Sequence, residues 1–184
     1  MSQFDADLAF EARMNRDHFL PWLARKGYTV EKHPKKDPRG DFLVSKDGKI
    51  WNLEVKAEKN YHGNLAIEIW SNFIEEGHDL NSPGWFETLN DDTLLLYAVG
   101  LEPNSQSKYD IKIPKMFSMT MGPLRDWYRE ANAEQQYSLL GPHVNDTQPN
   151  NTLFRPIPID DIKECEGFRQ HPLSAIGTPL GKPK

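Results

Sequence analysis

Apolar positions recur at helical spacing from Phe4 to Lys26, at Leu8, Ala12, Phe19 and Leu23, and Gly27 stands where such a helix stops. Pro21 lies inside this run, where its ring clashes with the carbonyl four residues back, so a kink is expected there. A short strand over Tyr28 to His33 and a KKDPRG turn follow. The pattern then changes to alternation. DFLV (Asp41 to Val44), the Asp47-Gly48 hairpin signal and IWNLEVK (Ile50 to Lys56) predict an antiparallel pair, and NLAIEIW (Asn64 to Trp70) predicts a third strand. Asn72 to Glu87 holds turn residues and few periodic apolar ones, and reads as a loop or broken helix. TLLLYAV (Thr93 to Val99) is the uninterrupted apolar run of a central buried strand. YDIKI (Tyr109 to Ile113) is expected beside it, with Pro114 opening the next helix. A helix around Pro123 to Glu134, a loop over 141–152, an edge strand FRPIPI (Phe154 to Ile159) limited by its prolines, and a short helix from Asp160 to Phe168 complete the pattern. The order predicts an α/β fold, a mixed central sheet flanked by helices. One domain is expected over 1–170, with 171–184 a Pro- and Gly-rich tail expected to be disordered.

The chain has 184 residues, 38% hydrophobic and 27% charged, enough apolar content for a core and outside the range of disordered chains. No apolar run reaches transmembrane length and the N-terminus lacks a signal-peptide layout, so a cytoplasmic protein without membrane contact is expected. The single cysteine, Cys165, excludes an internal disulfide and a Cys-rich zinc site. The net charge of -5 lends no support to nucleic-acid binding. Distribution changes that picture: Lys32, Lys35, Lys36, Arg39, Lys46, Lys49, Lys56 and Lys59 form a basic strip able to hold phosphates, although a solvated loop explains the strip alone more simply.

Alternation in IWNLEVK puts Trp51, Leu53 and Val55 on one face and Asn52, Glu54 and Lys56 on the other. The first face is core. The second brings a carboxylate and an ammonium together, with Asp41 arriving from the neighbouring strand. Such an arrangement is costly to bury unless it is used. A hard divalent cation explains it: Mg²⁺ takes one or two carboxylates, here Asp41 and Glu54, plus oxygens such as the Val55 backbone carbonyl, waters and phosphate oxygens. Lys56 then stands beside the attacking water, where a nearby cation lowers the pKa of both, suiting in-line attack on a phosphodiester.

These residues resemble the PD-(D/E)XK nuclease superfamily: an acidic residue on a helix (Glu11 in AFEARMNRDHFLPWLARKGY), an Asp at a strand start (Asp41 in RGDF), and E-x-K on the next strand (Glu54 and Lys56 in EVK). NLAIEIW after a short turn, then TLLLYAV and YDIKIP, look similar to phage-type members, and the likeness covers about the first two-thirds of the chain. One departure is Gly40, where the motif has proline. The resemblance implies a restriction-endonuclease-like fold, a Mg²⁺-dependent deoxyribonuclease in which Mn²⁺ substitutes, a place in the host cytoplasm if phage-encoded, and a helix carboxylate touching a second metal or a metal water. Glu11 is preferred over Asp7 for that role because it lies deeper in the helix. Glu68 either supports Lys56 or faces solvent. Lys36, Arg39, Lys59, Tyr61, His62 and Asn64 are the candidate nucleic-acid contacts. Competing readings are a catalytically silent nuclease fold that binds nucleic acid or a protein, and a Holliday-junction-type resolvase working as a homodimer.

Overall fold

The computed structural model describes residues 3–58, 63–74, 76–79, 81–101, 112–141 and 152–171. An N-terminal helix opens the chain as α1 (Gln3–Met14), widens into a π turn over Asn15–Phe19, and resumes as α2 (Leu20–Arg25). The π turn answers the Pro21 problem. Leu20 donates its N–H to the Asn15 carbonyl, five residues back, so the helix swells where the proline ring would otherwise strike it.

Five strands of the main sheet follow from the alternating and apolar runs: β1 (Thr29–Lys32), β2 (Phe42–Lys46), β3 (Lys49–Glu58), β6 (Leu94–Leu101) and β7 (Lys112–Thr120). Between β3 and β6 lie β4 (Asn64–Asn72), β5 (Ser82–Pro83) and the single-turn α3 (Trp85–Thr88). After β7 come α4 (Met121–Glu130), α5 (Ala133–Gln136), β8 (Leu153–Pro158), α6 (Ile159–Ile162) and β9 (Arg169–His171). The main sheet runs β1-β2-β3-β6-β7-β9 and a small sheet runs β5-β4-β8. Among the described residues only β3 and β6 pair in parallel, with Glu54 beside Leu95 and Lys56 beside Tyr97. The chain is thus a mixed α/β structure, as the element order predicts.

Two cores lie on the two faces of the main sheet. Phe10, Met14, Phe19 and Leu23 of the N-terminal helix pack with Phe42, Val44, Leu53, Val55, Leu96 and Ala98 on one side. Leu65 and Ile67 of β4, Trp85 and Phe86 of α3, and Leu124 of α4 pack with Leu95, Tyr97, Phe117 and Met119 on the other. The split of β3 into Leu53/Val55 and Glu54/Lys56 follows directly from its alternation.

Several expectations need correction. Pro114 opens no helix: it lies inside β7, where the β6–β7 register shifts between Val99 and Leu101, and a bulge is where a strand tolerates a residue without an N–H. FRPIPI is an edge strand, but of the small sheet, paired with β4. His171 belongs to β9 on β7, not to the tail. The helix expected from Asp160 to Phe168 is only the turn Ile159–Ile162. Lys59, Tyr61 and His62 lie outside the described residues, as does most of YDIKI.

Candidate active site

β2 begins at Phe42, whose partner is Leu53, so β3 continues past its antiparallel neighbour on that edge. The backbone beyond this point needs another partner. Asp41 supplies it. Its own N–H donates to the Leu53 carbonyl at 2.8 Å, and its Oδ2 accepts the Val55 N–H at 3.1 Å. A strand residue points its N–H and C=O to the same edge, so the Val55 carbonyl faces the side on which Asp41 sits. The residue between Glu54 and Lys56 therefore presents its backbone to a carboxylate whose other oxygen remains available.

Gly40 makes this possible. Its φ of +99° is closed to proline, and a Cβ there would stand 2.7 Å from the Leu53 carbonyl oxygen. A glycine at position 40 is thus required by this chain's own geometry.

Glu54 is buried and its Oε1 accepts from Lys56 Nζ at 2.7 Å. Burial pushes the Glu54 carboxyl up, against the attraction of Lys56 and with the repulsion of Asp41 and Glu68 added. Burial pulls the Lys56 amine down, yet Glu11, Glu54 and Asp41 outweigh it and the amine ends above its ordinary value. With the chain's own charges alone, Lys56 is an ammonium. The lowering expected from the sequence is the effect of an added cation, which these charges do not include. Glu11 is pushed up to about 7, first by burial and then by Asp41, Glu54 and Glu68, against Lys56. The helix carboxylate thus belongs to the same electrostatic cluster.

Glu68 joins it from the small sheet. Its side chain is half-buried, and burial raises its carboxyl while the Lys56 charge and the Trp85 backbone hold it down. Two further groups carried no sequence signal. Glu58 shares the Glu54/Lys56 face by alternation and accepts from the Tyr97 hydroxyl, which also lies 3.1 Å from the Asn64 carbonyl. Tyr97 thereby ties the end of β3 to the start of β4. It reads as an ordinary core residue in TLLLYAV, and only the pairing of β3 with β6 brings it here.

The remaining candidates stand apart from this cluster. Lys36 is exposed with φ +62°, and Arg39 is exposed with its guanidinium closed onto Asp37 at 2.8 and 2.9 Å. Asn64 contributes its carbonyl to Tyr97. Cys165 is buried with its thiol pushed up to about 11 by burial and by Glu166 and Asp126, which leaves it unreactive.

Glu11, Asp41, Glu54 and Glu68 share an electrostatic neighbourhood with one ammonium, and burial is the main reason that the carboxyls of Glu11, Glu54 and Glu68 lie above their ordinary value. An all-oxygen donor set with surplus charge suits a hard divalent cation. Among the described residues no group of three or more His, Cys, Asp or Glu side chains is placed to hold a metal ion. Mg²⁺ needs none, since it keeps waters and takes substrate oxygens. Among the described residues, no helix is long and apolar enough to cross a membrane. Comparisons with protein-family models, with curated proteins and with solved structures find no match for the chain.

Proposed function

We propose that the chain is a Mg²⁺-dependent nuclease that hydrolyses phosphodiester bonds of DNA, built on a restriction-endonuclease-like core. One observation carries the reading: a helix carboxylate, a strand-start aspartate and an E-x-K pair, separated by up to 45 positions in sequence, share one electrostatic cluster on a buried strand. Asp41, Glu54 and the Val55 carbonyl are the groups that would hold the ion, with Glu11 reaching it through water. A divalent cation bound there neutralises the phosphate and polarises the bond under attack. Lys56, held as an ammonium, donates to the attacking water or to a phosphate oxygen and fixes the line of approach. Lys36 and Arg39, exposed in the loop leading to Asp41, are the side chains that would meet the nucleic-acid backbone in this reading. Mn²⁺ fits the same oxygen set.

The test is incubation of the protein with plasmid and single-stranded DNA in Mg²⁺ or Mn²⁺. Cutting is expected with either ion, stopped by EDTA, and slowed about 100-fold or more in Lys56→Ala. Absence of cutting with every ion, or equal cutting by Lys56→Ala, would overturn the reading.

A further inference from the structure

The N-terminal helix covers only part of its face of the main sheet. Beside α2, which buries Leu23 against that face, the sheet underlies a cavity of about 380 Å³, within the roughly 300–1,000 Å³ of ligand pockets. Val44, Leu53 and Leu96, all members of the core on this face, supply an aliphatic floor. Leu53 lines the cavity, and by alternation its neighbour Glu54 points to the other side of β3, so the cavity is distinct from the charged cluster.

Three half-buried aromatic side chains, Trp22, Tyr28 and Trp51, stand around that floor. Tyr28 and Trp51 meet edge to face, with ring centroids 5.7 Å apart and planes at 70°. Such a contact uses one face of one ring, which suits a further flat group beside the pair. Lys46 Nζ lies 5.3 Å from the Tyr28 centroid and puts a cation next to this wall.

The opposite flank is polar. Arg169 and His171 share one face of β9, and the register sets Arg169 beside Ser118 of β7. Ser118 is buried, and its hydroxyl pairs with His171 Nε2 at 2.8 Å, while Trp22 meets the imidazole edge to face at 6.1 Å. Burial and the Arg169 charge hold the imidazole below its ordinary value, which keeps it a neutral donor and acceptor. Arg169 is exposed at the rim, with the planar fork that matches a phosphate. Asp92 Oδ2 accepts from the Asn52 amide at 3.2 Å, and Oδ1 is a further acceptor in the lining.

We propose that this cavity is a nucleotide site, in which a nucleobase lies against the aromatic walls, Asp92 and the Ser118–His171 pair meet its edge, and Arg169 holds its phosphate. An apolar guest would use only the floor and walls, and a bare phosphate only Arg169. A nucleotide uses all three. The same chemistry is offered by a free nucleotide and by the end of a single strand. No step of the argument involves a metal or the Glu54 face.

The test is a tryptophan-fluorescence titration of the full chain in EDTA. The probes are the deoxynucleoside 5′-monophosphates, the matching nucleosides, inorganic phosphate and short oligodeoxynucleotides. Saturable quenching is expected with at least one mononucleotide, about 10-fold weaker with its nucleoside and weakest with inorganic phosphate. Arg169→Ala is expected to reduce the mononucleotide to the level of its nucleoside, and Trp51→Ala to weaken both about 10–100-fold. If Trp51→Ala does not fold, Trp51→Leu removes the ring while keeping bulk and makes the same comparison. An oligonucleotide that binds more tightly than the mononucleotide assigns the site to a strand end; the reverse order assigns it to a free nucleotide. No saturable change with any nucleotide or oligonucleotide would overturn the proposal, as would inorganic phosphate binding equally well, or affinity unchanged in both Arg169→Ala and the Trp51 variant. Cleavage plays no part in the readout, so a failed titration leaves the nuclease reading standing and a failed cleavage assay leaves this site standing.

Discussion

Glu11 offers the sharpest quantitative consequence of the cluster. Its carboxyl is moved from 4.5 to about 7 by burial beside Asp41, Glu54 and Glu68. A rise of that size, at about 1.36 kcal/mol per pH unit, amounts to about 3 kcal/mol of differential stability. The direction follows from proton binding. Between pH 4.5 and 7 the folded chain holds a proton that the unfolded chain has released, so stability is fully present below pH 4.5 and is lost as pH rises through 7. Glu11→Gln removes the titration while keeping the shape. Urea unfolding in EDTA at pH 5, 6, 7 and 8 is expected to show wild type losing stability relative to Glu11→Gln across this range, the gap reaching about 3 kcal/mol at pH 8. Ca²⁺ at pH 8 is expected to narrow the gap by compensating the ionised carboxylate. Parallel pH curves for the two proteins would refute the argument, since they would place the Glu11 carboxyl in water and outside the site.

Other consequences are more local. Gly40→Ala introduces a Cβ 2.7 Å from the Leu53 carbonyl at a φ of +99°, and is expected to cost about 1–3 kcal/mol in urea unfolding; Gly40→Pro, which also deletes the N–H given to Asp37, is expected to cost more. Tyr97→Phe removes the hydroxyl that serves Glu58 and is expected to cost about 1 kcal/mol and to raise hydrogen exchange at the start of β4. Leu65→Ala, at a fully buried position between the two sheets, is expected to cost about 2–5 kcal/mol.

The alternation of IWNLEVK makes the division of β3 into a core face and a charged face legible without coordinates, because a strand's period is fixed by its backbone. The helix around Glu11 is legible only in part: of the positions its spacing picks, Phe19 and Leu23 are buried but Ala12 is exposed, and Phe10 and Met14 fill the core instead. What could not be read is whatever depends on which strands pair. The small sheet formed by β4 and β8 joins segments about 90 positions apart, and neither segment states its partner locally. Glu68 follows the same rule: on its own strand it is an acid among apolar residues, and only the approach of Gly84, before α3, to β4 shows what packs against it. Pro114 misled because its fixed φ suits a helix start as well as a strand, and the bulge that decides between them belongs to the pairing with β6.

The central claim is that Asp41 and Glu54 share a divalent cation beside Lys56. Anomalous diffraction from crystals soaked in Mn²⁺ addresses it directly. The account predicts a peak bounded by the Asp41 and Glu54 carboxylates and the Val55 carbonyl, at about 2.0–2.4 Å from each oxygen, with Glu54 no longer bonded to Lys56. A peak elsewhere, or none, with the Glu54–Lys56 pair intact at saturating Mn²⁺, would contradict it.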